Sequence, residues 1–514
     1  MKPCRSTNIS WFWVLMVVAL CLLSRLPQLM SPYFHTDDNG DECVLGLMAS
    51  HAARGQGFPF YFWGQSYGFS WIEVGAAALA IKFFGVSIFS LKVPMLFLWT
   101  SGCAFFYCAL SQWTTRSYSF WMTCLFIFSP SWMGWSMRAR SGYISAFLLT
   151  TIVLFLIAHN WRPLKKRTCL FIGILLGFIF FSQPVFLLGV VPLLVYVISK
   201  EEKFKNILIC MAGFIGVFIL GKVMLYFQSN IDYWKPAWFR PDNLSIFISS
   251  FKDRIFYGLN QDAGNYWAPV ILSKSWCAVF LASLGVYVWS LITKRASFLV
   301  TLSLISAVLI LGCTYFINCE DQYRYLLPLS LFLILWVSIQ SFEWMNKNLS
   351  LKVFLSMGIS VFIVLGALTA WNYKNSYRSN HVSLKEVPEM QKISKMIEFL
   401  KASGVKYVFS LDDGMSWKLL YFSQEQIISR WANMRSRHPE YNEAVSQAFL
   451  SGEKVALIGN VFHELSAYLI IASEGPPQLW ADDYFIYLHP GRELIADKLR
   501  FQLYKLPMTV ESVK

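Results

Sequence analysis

The chain has 514 residues, 56% of them hydrophobic and only 14% charged, with a formal net charge of +14 and a mean hydropathy of +0.47. Soluble domains are about 45–50% apolar and about 25% charged, so this excess of apolar residues calls for a non-aqueous solvent and excludes an ordinary water-soluble enzyme. The 11 cysteines include no CxxC pair, which argues against a zinc or dithiol motif, and no nucleic-acid partner is needed once the positive charges are placed along the chain.

A membrane helix needs ~20 largely apolar residues. The first such run, Trp11–Met30, follows Lys2 and Arg5 and precedes no small-residue cleavage site, so it reads as an uncleaved anchor. Further runs cover Phe89–Gln112, Tyr118–Trp135, Tyr143–Asn160, Thr168–Gln183, Val185–Ser199 and Ile207–Phe227. Ser275–Thr293, Phe298–Ile317, Tyr325–Phe342 and Val353–Trp371 complete the series, about eleven spans in all. Pro184 leaves a second reading open, in which it kinks one span instead of separating two. Lys165, Lys166 and Arg167, then Lys200, Lys203 and Lys205, then Lys294 and Arg295, then Lys347 and Lys352 fall in alternate loops, on the side of the N-terminus. The positive-inside rule makes that side cytoplasmic. The expected architecture is an α-helical polytopic membrane module over residues 1–371, followed by a small extracytoplasmic α/β domain over 372–514.

Three outer segments are long enough to do chemistry: Ser31–Ser87, Gln228–Lys274 and Asn372–Lys514. In the first, HTDDNGDE (His35–Glu42) gathers Asp37, Asp38, Asp41 and Glu42 just past a span, where unpaired carboxylates are costly to desolvate. A helix is expected from Asp41, with Val44, Leu45, Met48 and Ala52 on one face and Gly55 ending it. Acids at such a helix start are stabilised by the dipole without any chemistry. The same side chains can also hold a divalent metal, though their spacing matches no specific motif. His35 reads as a surface residue. Between Phe58 and Trp71 eight of fourteen residues are aromatic, interrupted by Gly64, Gln65 and Gly68. Such a run serves as an interfacial belt, or lines a sugar or prenyl-chain cleft with Gln65 and Tyr67. Ile72–Phe84, carrying Glu73, reads as a second surface helix. Cys43 and Cys319 share the outer side, and two free thiols are expected rather than a disulfide. In the tail, Gln391–Ser403 reads as a helix ended by Gly404, and Val405–Leu411, Lys454–Ile458 and Phe485–Leu488 as strands.

The order of these features resembles a known family. A first span, DExxxxLMA, a Gly-containing turn, an aromatic GQxYG segment and a helix ending FFGVSIFSLKVP are similar to the GT-C glycosyltransferases, in the branch of protein O-mannosyltransferases and the aminoarabinose transferase of lipid A. The likeness is strongest over Arg25–Pro94. It continues in RARSGY (Arg138–Tyr143), YRYLLPL (Tyr323–Leu329) and YFSQEQIIS (Tyr421–Ser429). The resemblance implies transfer of a sugar from a polyprenyl-phosphate carrier to an extracytoplasmic glycan, lipid or protein, with inversion at the anomeric carbon. It makes Asp41 the loop acid, with Glu42 beside it. The second acid of the lipid A branch is absent after Tyr61-Phe62, and Glu73 is the candidate substitute.

The chemistry explains the residue types. A hydroxyl attacking an anomeric carbon loses its proton to a positioned carboxylate, and one carboxylate suffices for a single inverting displacement. The leaving lipid phosphate needs cations, and the guanidinium fork donates two hydrogen bonds to phosphate oxygens. Arg138, Arg140 and Arg324 lie on the outer side in this topology, as do Lys222, Arg254 and Lys274; interfacial cations also snorkel to headgroups without further function. The expected site is therefore Asp41 and Glu42 for catalysis, with Asp38, Gln65, Tyr67, Glu73, Arg138, Arg140, Tyr143 and Arg324 for substrate. Asp412 and Asp413 follow a strand, where they start a turn or face a ligand; no catalytic role is assigned to them. A transporter or flippase of lipid-linked sugars is the alternative. Transporters usually place ionisable groups at the midplane and carry internal repeats. A scaffold with a decayed catalytic loop is a third reading.

Overall fold

A computed structural model describes residues 10–31, 40–65, 67–159, 165–199, 204–227, 267–293, 297–316, 327–345, 349–372, 388–431, 437–460, 475–481, 483–501 and 503. Asp37, Asp38, His35, Arg254, Cys319 and Arg324 lie outside them.

Each apolar run is helical over most of its described residues. The helices are α1 (Trp11–Leu29), α4 (Ile88–Trp113), α5 (Arg116–Ile127) with α6 (Pro130–Trp135), α7 (Tyr143–His159), α8 (Lys166–Ser182), α9 (Val185–Ser199) and α10 (Phe204–Phe227), then α11 (Trp267–Ile292), α12 (Phe298–Phe316), α13 (Leu327–Met345) and α14 (Leu349–Asn372). By length and composition, four of the described helices can cross a membrane outright, and several shorter apolar helices accompany them. Gln183 adopts an extended backbone between α8 and α9, so Pro184 follows a true helix break.

The third expected span differs from the sequence reading. It divides after Ile127, because Ser129 is extended and Pro130 restarts the chain as the first residue of α6. The break exposes backbone carbonyls inside the bundle, and Arg25 of α1 satisfies them. Its guanidinium donates to the Ile127 carbonyl at 2.8 Å and to Ser136 Oγ at 2.8 Å, and lies 4.6 Å from the Trp99 ring. An arginine only 1% exposed on a membrane helix is thus tolerated by hydrogen bonds and a π face.

Two short helices lie between α1 and α4: α2 (Asp41–Ala53) and α3 (Trp71–Phe84). The first is buried at nine consecutive positions, Glu42 to Ser50, where a surface helix would bury one face only. Its outer side is covered by the C-terminal α/β unit. That unit comprises α15 (Glu389–Ala402), β1 (Tyr407–Ser410), α16 (Asp413–Phe422), β2 (Ile428–Trp431), α17 (Pro439–Leu450), β3 (Val455–Asn460), β4 (Leu479–Ala481), β5 (Tyr484–Leu488) and a π-helical turn, Glu493–Lys498. The sheet order is β2-β1-β3-β5-β4, with β1 parallel to β2 and β3, and the remaining pairs antiparallel. Strand residues alternate between two cores. Val408, Ala456, Ile458 and Ile486 meet Ile393, Met396 and Leu400 of α15 and Leu419 of α16. Phe409, Leu457 and Phe485 meet Val445, Leu494 and Ile495 on the other face.

The α/β unit lies along the length of α2. Trp417 packs at Gly40. Tyr421 rests on Gly46, where a β-carbon would come within 2.5 Å of its ring, and its hydroxyl donates to the Ser87 carbonyl at 3.1 Å. At the far end, Glu425 accepts from Arg54, from His51 at 2.9 Å and from the Tyr441 hydroxyl at 2.6 Å. His438 stacks on Tyr441 at 4.6 Å and meets the Trp63 ring, tilted, at 4.5 Å.

Candidate active site

The site grows from the start of α2. Gly40 takes a left-handed turn (φ 71°) and lies so close to Trp417 that a β-carbon would sit 2.9 Å from that side chain. Only glycine meets both demands. The turn delivers Asp41 as the first residue of α2, where the helix dipole favours a carboxylate. Asp41 is bracketed by two guanidinium groups. Arg437 Nη2 donates to Oδ1 at 2.7 Å, and Arg140 Nη2 lies 3.3 Å from Oδ2.

Arg140 comes from the tight loop between α6 and α7. Its N–H donates to the Arg138 carbonyl, and both Arg138 and Arg140 lie over the Trp135 ring, at 5.0 and 5.6 Å. Glu42 holds this loop in place. Its side chain is 1% exposed, pairs with Lys92 Nζ at 2.6 and 2.5 Å, and accepts the Ala139 N–H at 2.7 Å. Glu42 is thus engaged on both oxygens in tying α2 to α4 and to the arginine loop. The loop leaves through Gly142 (φ 73°), which abuts the Ser182 carbonyl, and Tyr143 begins α7 with its ring 5.2 Å from Trp135.

The aromatic segment is mostly a core element. Tyr61 and Phe69 pair across a hairpin, and the N–H groups of Gly68 and Phe69 donate to the Phe181 carbonyl. Their rings join Phe181 in one cluster, and Tyr61 OH donates to the Gly221 carbonyl at 2.8 Å. At the hairpin tip, Gln65 is buried and shares the space over Gly68 with Ser141, the residue after Arg140. Tyr67 is half-buried. Glu73 is completely buried and accepts the Ser145 N–H at 2.8 Å, in the first turn of α7. Burial pushes its carboxyl up to about 7, although hydrogen bonding at Ser145 opposes the rise. No hydrogen bond or ion pair among the described residues joins Glu73 to Asp41. Lys222 lies 5.8 Å from the Phe218 ring on α10, and Lys274 is exposed on α11. Neither is brought to Asp41 by an ion pair among the described residues.

The α/β unit supplies Asp412 and Asp413, both named from the sequence, and Arg437, which was not. Asp412 caps α16 through Met415 N–H at 2.8 Å and receives the Tyr484 hydroxyl at 2.8 Å, so it starts a turn. Asp413 accepts from Trp417 Nε1 at 2.9 Å. Its carboxyl rises to about 6, first from burial, with the charges of Asp41 and Asp412 adding to the rise and Arg437 opposing it. Arg437 follows β2, is held 4.8 Å from the Phe62 ring, and packs on Gly64. A signal for Arg437 existed, since an Arg-rich run (MRSRH, Met434–His438) lies on the expected outer side. Positive-inside reasoning discounts long domains, however, and so passes over it. As for a metal, no group of three His, Cys, Asp or Glu side chains converges among the described residues, and the near partners of Asp41 are cations. Cys43 is buried on α2.

Together these observations define a polytopic membrane helical bundle with an acid at the helix–loop junction, covered by an α/β unit. No family model and no curated relative matches the chain. Solved structures share the fold of this chain. It is similar to ArnT from Cupriavidus metallidurans bound to undecaprenyl phosphate, with TM-score 0.61 and 10% identity over 94% of this chain and 99% of that one. The apo form of the same protein gives TM-score 0.59 and 10% identity over 93% and 98%.

Proposed function

We propose that the chain is a membrane glycosyltransferase that takes a sugar from a polyprenyl-phosphate carrier and places it on an extracytoplasmic glycan, lipid or protein. The observation that carries this reading is Asp41, set by Gly40 at the head of α2 and bracketed by Arg140 and Arg437. A carboxylate beside paired guanidiniums is what displacement from a sugar phosphate needs. The carboxylate takes the proton of the attacking hydroxyl while the anomeric carbon passes through an oxocarbenium-like state. The guanidiniums hold the charge that collects on the departing phosphate, a preorganised field that is often the largest catalytic contribution. The GT-C fold supports the reading, and ArnT is a neighbour whose structure holds undecaprenyl phosphate.

In this reading residues 1–371 form the membrane module of a bacterial inner-membrane protein, the N-terminus is cytoplasmic, and residues 372–514 lie outside. Arg138, Gln65, Tyr67 and Tyr143 line the approach to Asp41. Glu42 and Glu73 position the loops that carry the site: Glu42 is engaged by Lys92 and the Ala139 N–H, and Glu73 accepts the Ser145 N–H through one of its oxygens. Mass spectrometry of envelope lipids and glycans, with and without the protein, tests the proposal. Loss of one covalently attached sugar from an acceptor supports it. Intact acceptors with lipid-linked sugar accumulating on the cytoplasmic side would instead favour a flippase.

A further inference from the structure

A cation from the α/β unit reaches the acid of the membrane module, and its geometry carries more than packing. Arg437 Nη2 donates to Asp41 Oδ1 at 2.7 Å, while its Nη1 is buried and has no hydrogen-bond partner among the described residues. A buried, unsatisfied guanidinium nitrogen is costly unless an anion completes it. The guanidinium lies 4.8 Å from the Phe62 ring, the start of the side chain packs on Gly64, and the next residue, His438, is seated against Trp63. Asp413 and Arg437 both leave the carboxyl ends of parallel strands, β1 and β2, the edge at which open α/β sheets bind ligands.

We propose that Arg437, together with Arg140, takes the phosphate of a lipid phosphate, and that this exchange frees Asp41 to act as base. The inference rests on the reading of Asp41 as the base of a lipid-carrier glycosyltransferase. In the structure Asp41 occupies both guanidiniums. An entering phosphate offers oxygens that match the guanidinium fork better than a single carboxylate shared between two arginines does. As Arg140 and Arg437 turn to it, Asp41 keeps its place at the head of α2 and gains room for the acceptor hydroxyl. In the step, the acceptor proton passes to Asp41 and the acceptor oxygen bonds to the anomeric carbon. The bond from that carbon to the phosphate oxygen breaks, and its electron pair leaves on the lipid phosphate, held by the two arginines. The soluble unit is then part of the active site, and the base is not released until the donor phosphate has bound.

Binding of undecaprenyl phosphate and of undecaprenol to the full-length protein in detergent, read by native mass spectrometry, tests this. The wild type is expected to prefer the phosphate. Arg437→Ala should weaken undecaprenyl phosphate roughly tenfold or more and leave undecaprenol unchanged, with Arg437→Lys intermediate. Asp41→Asn, which removes the competitor for both guanidiniums, should bind the lipid phosphate at least as tightly as wild type. Glu425→Gln loosens the same interface at its other end and should bind nearly as wild type. Equal loss in Arg437→Ala and Glu425→Gln would show a merely structural role and overturn the inference, as would unchanged binding in Arg437→Ala or a loss in Asp41→Asn. Inorganic phosphate displacing the lipid at similar concentration would overturn the assignment to a lipid. A wild type that binds both lipids equally would overturn the donor reading itself.

Discussion

At the scale of single residues, the carboxylates of this protein do different work because their surroundings differ. Glu425 is a docking group. Burial pushes its carboxyl up, but hydrogen bonds from His51, Tyr441 and Arg54 outweigh burial and bring it down to about 2. It follows Gln424, and both hold a left-handed backbone (φ 53° and 62°), a strain of about 1–3 kcal/mol each that persists because the contacts on α2 fix it. A carboxyl depressed in the folded state contributes stability above its ordinary value near 4.5 and loses it as pH falls toward 2. Thermal unfolding in detergent should therefore show an acid-side loss over that window in the wild type and a much smaller one in Glu425→Gln. Asp413 has the opposite sign. Its carboxyl sits near 6 instead of 3.8, so its contribution is fully present below about 4 and vanishes as pH rises through 6. Asp413→Asn should flatten the fall in unfolding midpoint between pH 4 and 7; an unchanged fall would remove Asp413 from the account.

At the scale of elements, α2 is the organiser. Its first residue faces the two arginines, its second anchors the arginine loop, and its last turn receives Glu425. The Glu42–Lys92 pair is 1% exposed on both sides, so removing one partner leaves a buried charge alone. Glu42→Gln or Lys92→Met should each cost about 3–5 kcal/mol, and the double variant should recover part of that loss. Unfolding midpoints of the three variants measure this, and simple additivity would contradict the pairing. Much of this element was legible in advance. The DE pair after the first span marks Asp41, Gly40 precedes it as a turn, and Arg138 and Arg140 stand out as two arginines in one short loop between apolar runs. The helix α15 and strands β1, β3 and β5 also follow from apolar spacing. Three things were not legible. Period alone cannot show that α2 is covered on its outer side, since its apolar face reads the same with or without a cover. The division of the third span follows from the extended Ser129 ahead of Pro130, stabilised by Arg25 more than 100 positions away in sequence. Strands β2 and β4 are short and carry Ser, Arg and Trp, so no alternation announces them.

At the scale of the whole molecule, the bundle and the α/β unit share one site. Arg437 and Asp41 are 396 positions apart in sequence, so no local pattern could have paired them. Their contact, with the Tyr421–Ser87 and Glu425–His51 contacts, makes the α/β unit a cover over Asp41. Such a cover keeps water from the charged site, which strengthens its electrostatics. The central claim is that Asp41 is the base. In cells lacking the protein, mass spectrometry of the envelope should show an acceptor without its sugar. Wild-type protein should restore the sugar, while Asp41→Asn, present in the membrane at the same level, should not. Full restoration by Asp41→Asn would contradict the account.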